Sequence, residues 1–158
     1  YKFGKITPSI GTSYLSGDKN TLDNTDNLFD VLYGARHRYF GHMDYFRNIP
    51  SHTNQGGLVD LFGYISYKIS DKLSIKNTGH YFSLAQINEL TPSGKELGYE
   101  NEFELKYSLG KNVNIKAAYL FYLPTDNFKQ LTNPETTDYQ QFAFIEITIN
   151  PTIFKNEN

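Results

Sequence analysis

The chain has 158 residues, enough for one domain with a core, and a net charge of −2, which excludes the basic stripe that a nucleic-acid partner would need. It has no cysteine, which excludes a disulfide framework, thiol catalysis and cysteine-ligated zinc. Aromatic residues make up 16% while hydrophobic content is only 39%, and no apolar run approaches the roughly 20 residues of a transmembrane helix.

The first element in chain order is an alternating segment at 5–15, followed by a long polar connection, 16–57. Further segments of period two lie at 58–69, 73–85, 97–108, 113–123 and 141–151. Each is about twice the usual strand length of roughly 5–6 residues and matches the roughly 9–11 residues of a tilted membrane-crossing strand. Ser70-Asp71-Lys72 and Leu109-Gly110-Lys111-Asn112 read as tight turns, whereas 16–57, 86–96 and 124–140 are long and polar. Short turns at one end and long loops at the other fit an outer-membrane barrel whose short turns are periplasmic. The opening at Tyr1, with no Met or signal-like segment, suggests a mature or truncated piece of something longer.

The strand faces sort by parity. The segment 58–69 sets Val59, Leu61, Ile65, Tyr67 and Ile69 against Asp60, Tyr64, Ser66 and Lys68. The segment 97–108 sets Leu97, Tyr99, Phe103, Leu105 and Tyr107 against Glu100, Glu102, Glu104 and Lys106. The last two segments set Val113, Ile115, Ala117, Tyr119 and Phe121 against Asn114, Lys116 and Ala118, and Ala143, Ile145, Ile147 and Ile149 against Glu146, Thr148 and Asn150. The first and third segments are less regular. Tyr67 and Tyr107, near the short turns, sit where an interfacial aromatic girdle belongs. A soluble sandwich also alternates, because one face of each sheet is solvated. Six strands are too few to close even a side-chain-filled barrel, which takes about eight, so the chain reads as the C-terminal portion of a larger one.

Three stretches, "GTSYLSGD" (11–18), "FDVLYGARHRYFGHMDYF" (29–46) and "GGLVDLFGYISYKI" (56–69), resemble the C-terminal part of the alginate-export family of outer-membrane proteins. The likeness rests on Tyr14, Leu15, Ser16, Gly17, Asp18, Phe29, Asp30, Leu32, Tyr33, His37, Tyr39, Gly41, Met43, Asp44, Phe46, Leu58 and Asp60. The closing "FAFIEITINPTIF" (142–154) is similar to that family's final strand. The resemblance implies a barrel of about sixteen to eighteen strands that passes anionic polysaccharide outward through a charged lumen. One departure concerns the lumen. The polar faces offer Lys68, Lys76, Lys106 and Lys116, but also Glu100, Glu102, Glu104, Glu146 and Asp60, a mixture rather than a basic constriction.

The segment 29–47 holds all the arginines, Arg36, Arg38 and Arg47. They could offer forked donors to uronic-acid carboxylates beside stacking rings, or pair with Asp30, Asp44 and Asp60 to lock a loop over the barrel mouth. The second use is favoured, because a long exposed loop so rich in rings must pack most of them. His37, His42 and His52 with Asp44 could ligate a metal, but their spacing matches no ligand motif. Glu100, Glu102 and Glu104 stand about 7 Å apart along one strand face. That spacing suits a glycosidase pair, but it also suits a solvated wall balanced by lysines on 113–123, and the wall is preferred.

The expectation is an all-β, antiparallel transmembrane barrel portion over 1–158 in a bacterial outer membrane, with 19–56 as a long, ordered extracellular loop. It would act as a porin-like channel for a polar, anionic polysaccharide-type solute, with no enzyme activity, metal or cofactor. Passage and loop residues would be Arg36, His37, Arg38, Tyr39, Asp44 and Arg47, and the charges just named would line the lumen. Expected partners are membrane lipid, the solute and proteins of an envelope complex, with no nucleic acid. The alternatives are a non-conducting barrel serving as receptor or structural component and, more weakly, a soluble carbohydrate-binding sandwich.

Overall fold

A computed structural model describes residues 4–18, 24–30, 37 and 39–151. Over these described residues the fold is all-β with two short helices: β1 (Ile6–Leu15), α1 (Ile49–His52), β2 (Leu58–Lys68), β3 (Leu73–Ser83), β4 (Glu96–Ser108), β5 (Val113–Pro124), α2 (Asp126–Leu131) and β6 (Gln140–Ile149). The six strands form one open antiparallel sheet in sequence order, each paired with its chain neighbours. Their lengths of 10, 11, 11, 13, 12 and 10 residues agree with the alternation in the sequence. Among the described residues no helix is long and apolar enough to cross a membrane.

The tight ends are hairpins. Ser70 Oγ accepts from the Lys72 and Leu73 amides at 3.3 and 3.1 Å, and the Leu109 amide donates to the Val113 carbonyl at 3.0 Å. At the other end, 39–57 and α2 fold over one face, here termed inner. Phe46, Ile49 and Phe128 bring their side chains onto Leu15, Leu58, Phe82, Leu97 and Tyr122 in a single apolar cluster. Its ring contacts are close: Phe46–Phe82 at 4.7 Å, Tyr45–Tyr122 at 4.9 Å and Tyr122–Phe128 at 4.9 Å between centroids. Thr125 caps α2 by accepting the Phe128 amide at 3.3 Å, satisfying one of the amides a helix start leaves open.

Away from this cluster the burial is inverted relative to a water-soluble sheet. Inner positions mix polar side chains with apolar ones such as Phe62 and Leu120, and Asp60, Glu100 and Glu102 are almost fully buried at 1, 1 and 2% exposure. Outer positions are apolar and open, with Ile10 80%, Ile65 60% and Ile145 75% exposed. Leu97 departs from the sequence reading, which set it beside Tyr99 on the apolar face. The β3–β4 register shifts at Phe82/Ser83, where Gly98 takes φ +151°, and this bulge turns Leu97 inward to full burial. A Cβ at Gly98 would lie 2.5 Å from the Leu123 carbonyl oxygen, so glycine allows the bulge.

Candidate functional site

The inner face falls into two zones along the strand direction. Near the long loops, register aligns Asp60 with Phe82, Phe62 with His80 and Glu100, and Tyr64 with Thr78 and Glu102. Onto this zone comes the tight segment 41–44. Gly41 has φ +75°, and a Cβ there would lie 2.5 Å from Glu100 Oε2, so only glycine brings the backbone this close. The His42 amide then donates to Glu102 Oε1 at 2.8 Å and the Met43 amide to Glu100 Oε1 at 3.1 Å. The His42 ring adds Nδ1 to Glu102 Oε2 at 2.7 Å. On the other side, His80 Nδ1 meets Asp60 Oδ1 at 3.0 Å, and its Nε2 stands 3.8 Å from Glu102 Oε1.

Three buried carboxylates are thus bound by two histidines and two loop amides. That matters because a buried polar group left without a partner would cost about 1–3 kcal/mol. Glu100 and Glu102 therefore do not form a solvated wall balanced by β5 lysines. They fasten the loop. Of the three glutamates only Glu104 remains partly solvated, 3.7 Å from Lys76 on β3, while Lys116 of β5 pairs with Glu146 of β6 at 3.1 Å. Beside the clamp, burial raises the pKa of the Tyr45 phenol, and the nearby Glu100 charge adds to the shift.

The second zone, near the tight turns, is a groove of about 400 Å³ lined by Lys5, Lys68, Lys72, Lys76, Lys106 and Lys116 with Asp71 and Glu104. The charge mixture in the sequence is thus segregated. The acids nearest the long loops are consumed by the clamp, and the open groove is rich in lysine.

The loop residues named from the sequence have separate fates. His37, itself exposed, contacts Asp44 through Nδ1; Asp44 has φ +60°, a conformation aspartate tolerates. Tyr39 is 66% exposed. Arg47 is exposed and forms no ion pair with a described residue, so it does not lock the loop through Asp30, Asp44 or Asp60. Asp60 instead serves His80. Arg36 and Arg38 lie outside the described residues. His37, His42 and His52 face different partners: Asp44, Glu102 and the Asn48 amide. Among the described residues no group of three or more histidine and acidic side chains could hold a metal ion. His80 was not singled out from the sequence; counting inward by twos from Lys76 would have reached Thr78, His80 and Phe82.

A second groove, of about 570 Å³, opens between His37 with 42–45 and β6 and includes Phe142, Phe144 and Glu146. No protein family, curated protein or solved structure matches this chain.

Proposed function

We propose that this chain is the C-terminal portion of a bacterial outer-membrane β-barrel of the alginate-export type, with about sixteen to eighteen strands in all. In this reading it passes a polar, anionic polysaccharide-type solute by a passive route without covalent chemistry. The observation that carries the reading is the inverted burial, with isoleucine and tyrosine exposed on one face and aspartate and glutamate buried on the other. An apolar sheet face of that extent is a hazard in water and a requirement in lipid.

Two further features support it. Tyr81 and Tyr99 point outward near the long loops, and Tyr67 and Tyr107 point outward near the turns. Tyr99 and Tyr107 are separated by about 27 Å along β4. With a strand tilt of about 35–45° this leaves roughly 20 Å of height between girdles, close to the apolar band of a bilayer-spanning barrel. The open sheet also ends on strands β1 and β6, each paired on one side only, which further strands of a larger barrel would cover. The lysine groove supports an anionic solute, because a low-dielectric channel wall focuses the field of its charges.

The clamp over the loop end favours a second reading, a plugged barrel acting as a receptor or assembly component. Conductance of the full-length protein in planar bilayers separates the two. A channel should open, and an oligouronate should block it less well after Lys76→Ala with Lys106→Ala. Absence of any conductance would leave the plugged barrel. A full-length protein that stays soluble and monomeric without detergent would remove both.

A further inference from the structure

The clamp that fastens 41–44 to the inner face has a charge balance that only protons can complete. Asp60 on β2 and Glu100 and Glu102 on β4 are almost fully buried. Among the described residues, the groups within ion-pair distance of these three carboxylates are the rings of His42 and His80. Lysines of the same face are engaged one rung or more away, Lys76 by Glu104 at 3.7 Å and Lys116 by Glu146 at 3.1 Å.

The other titratable groups around the cluster add no positive charge to it. Tyr45 of the loop and Tyr122 of β5 pack together beside Glu100, and the Tyr122 hydroxyl donates to the Leu97 carbonyl at 3.0 Å. Toward β6 the His42 ring faces that of Phe144 at 6.4 Å. Asp44 and Glu146 border the groove there, and each is in contact with a basic side chain, His37 and Lys116.

Stripped of protons, the closed cluster would hold three negative charges and two neutral rings away from water. Mutual repulsion and desolvation both act against that state. A proton relieves it wherever it settles, on either ring or on a carboxyl. When 41–44 lifts, water reaches Glu100 and Glu102 and the need for the proton falls. The closed arrangement therefore binds more protons than the lifted one, and linkage makes rising pH favour lifting. Histidine sets the window, because its charge changes between about pH 5 and 8.

We infer that the segment 41–44 is a proton-held latch on the lumen face, closed in mild acid and released as the pH rises. The inference rests on the channel reading and adds the regulation of that same passage. The latch lies near the long loops, so it answers to the proton concentration outside the cell.

The test uses full-length protein at about pH 5.5 and about pH 8, which bracket the titration of histidine. Open probability is read in planar bilayers. Protection of the His42 and Met43 amides is read by hydrogen exchange in detergent, corrected for the chemical exchange rate at each pH. One linked proton shifts the equilibrium by at most about tenfold per pH unit, so open probability should rise about tenfold or more, with a matching loss of protection. Glu100→Gln keeps an acceptor for the Met43 amide and removes one negative charge, so it should stay latched at the higher pH. His42→Gln keeps a donor for Glu102 without a titrating charge, so it should lift at the lower pH and respond less. Constant protection of the two amides in the parent overturns the latch, whether or not the channel conducts. A response that both variants retain unchanged overturns it as well, because another group then carries it. If nothing conducts, the channel reading fails and exchange decides the latch alone: protection lost with rising pH in the parent and kept in Glu100→Gln upholds it.

Discussion

At the scale of single residues, Glu102 has the most to lose. Its two oxygens accept the His42 amide and contact the His42 ring, and it is 2% exposed. Replacing it by leucine would leave a part-buried amide without an acceptor, a loss of about 1–3 kcal/mol. The expected outcome for Glu102→Leu is fast hydrogen exchange at the His42 and Met43 amides, with Glu102→Gln, which keeps an acceptor oxygen, in between. Exchange that stays slow in the leucine variant would remove Glu102 from the fastening of the loop. Gly41 tests the same contact from the other side. Alanine there combines a left-handed backbone with a Cβ 2.5 Å from Glu100 Oε2. Gly41→Ala should therefore cost roughly 1–3 kcal/mol in unfolding experiments, and a neutral result would mean that the segment 41–44 can lift off without loss.

Among the elements, the strands were legible and the clamp was not, for a physical reason. Period-two alternation reports a local fact, the side on which each residue stands, and it placed β2, β4, β5 and β6 within a residue or two of their observed bounds. It failed at Leu97 because a bulge changes parity without leaving a compositional mark beyond Gly98. It could not reveal that Glu100 and Glu102 are buried, since that depends on where a loop some 60 positions away lands. The connection after α2 offers a pH test. The hydrogen bond from Lys129 holds the Asp138 carboxyl below its ordinary range, and in return raises the pKa of the ammonium. The depressed carboxyl contributes stability above its unfolded pKa, and this is lost as pH falls through the folded one. The raised ammonium contributes below its unfolded pKa, and this is lost as pH rises through the folded one. The pair should therefore hold from about pH 4 to about pH 10. In an NMR titration Asp138 should shift to lower pH than a free aspartate, and Lys129→Ala should return it to the ordinary range. An ordinary midpoint in the parent protein would refute the contact.

For the molecule as a whole, the outer face discriminates most sharply. Ile65 is 60% exposed in the middle of β2. If that surface lies in lipid, Ile65→Lys should destabilise folding into vesicles by about 2–4 kcal/mol near the midplane. If it lies in water, the same change should be almost neutral. Folding yield into vesicles over a urea series would read the difference, and an unaffected lysine variant would sink the membrane assignment. The sequence-ordered pairing also has a kinetic side. Every strand finds its partner next along the chain, so β2 to β6 can zip together through connections no longer than 125–139. Only β1 must wait for 16–57 to close, which costs about 2 kcal/mol more entropy than a four-residue turn. Assembly should therefore begin in the C-terminal hairpins and add β1 late. The same connection, whose residues 41–49 pack on the inner face, would then set the pace of the last strand to join.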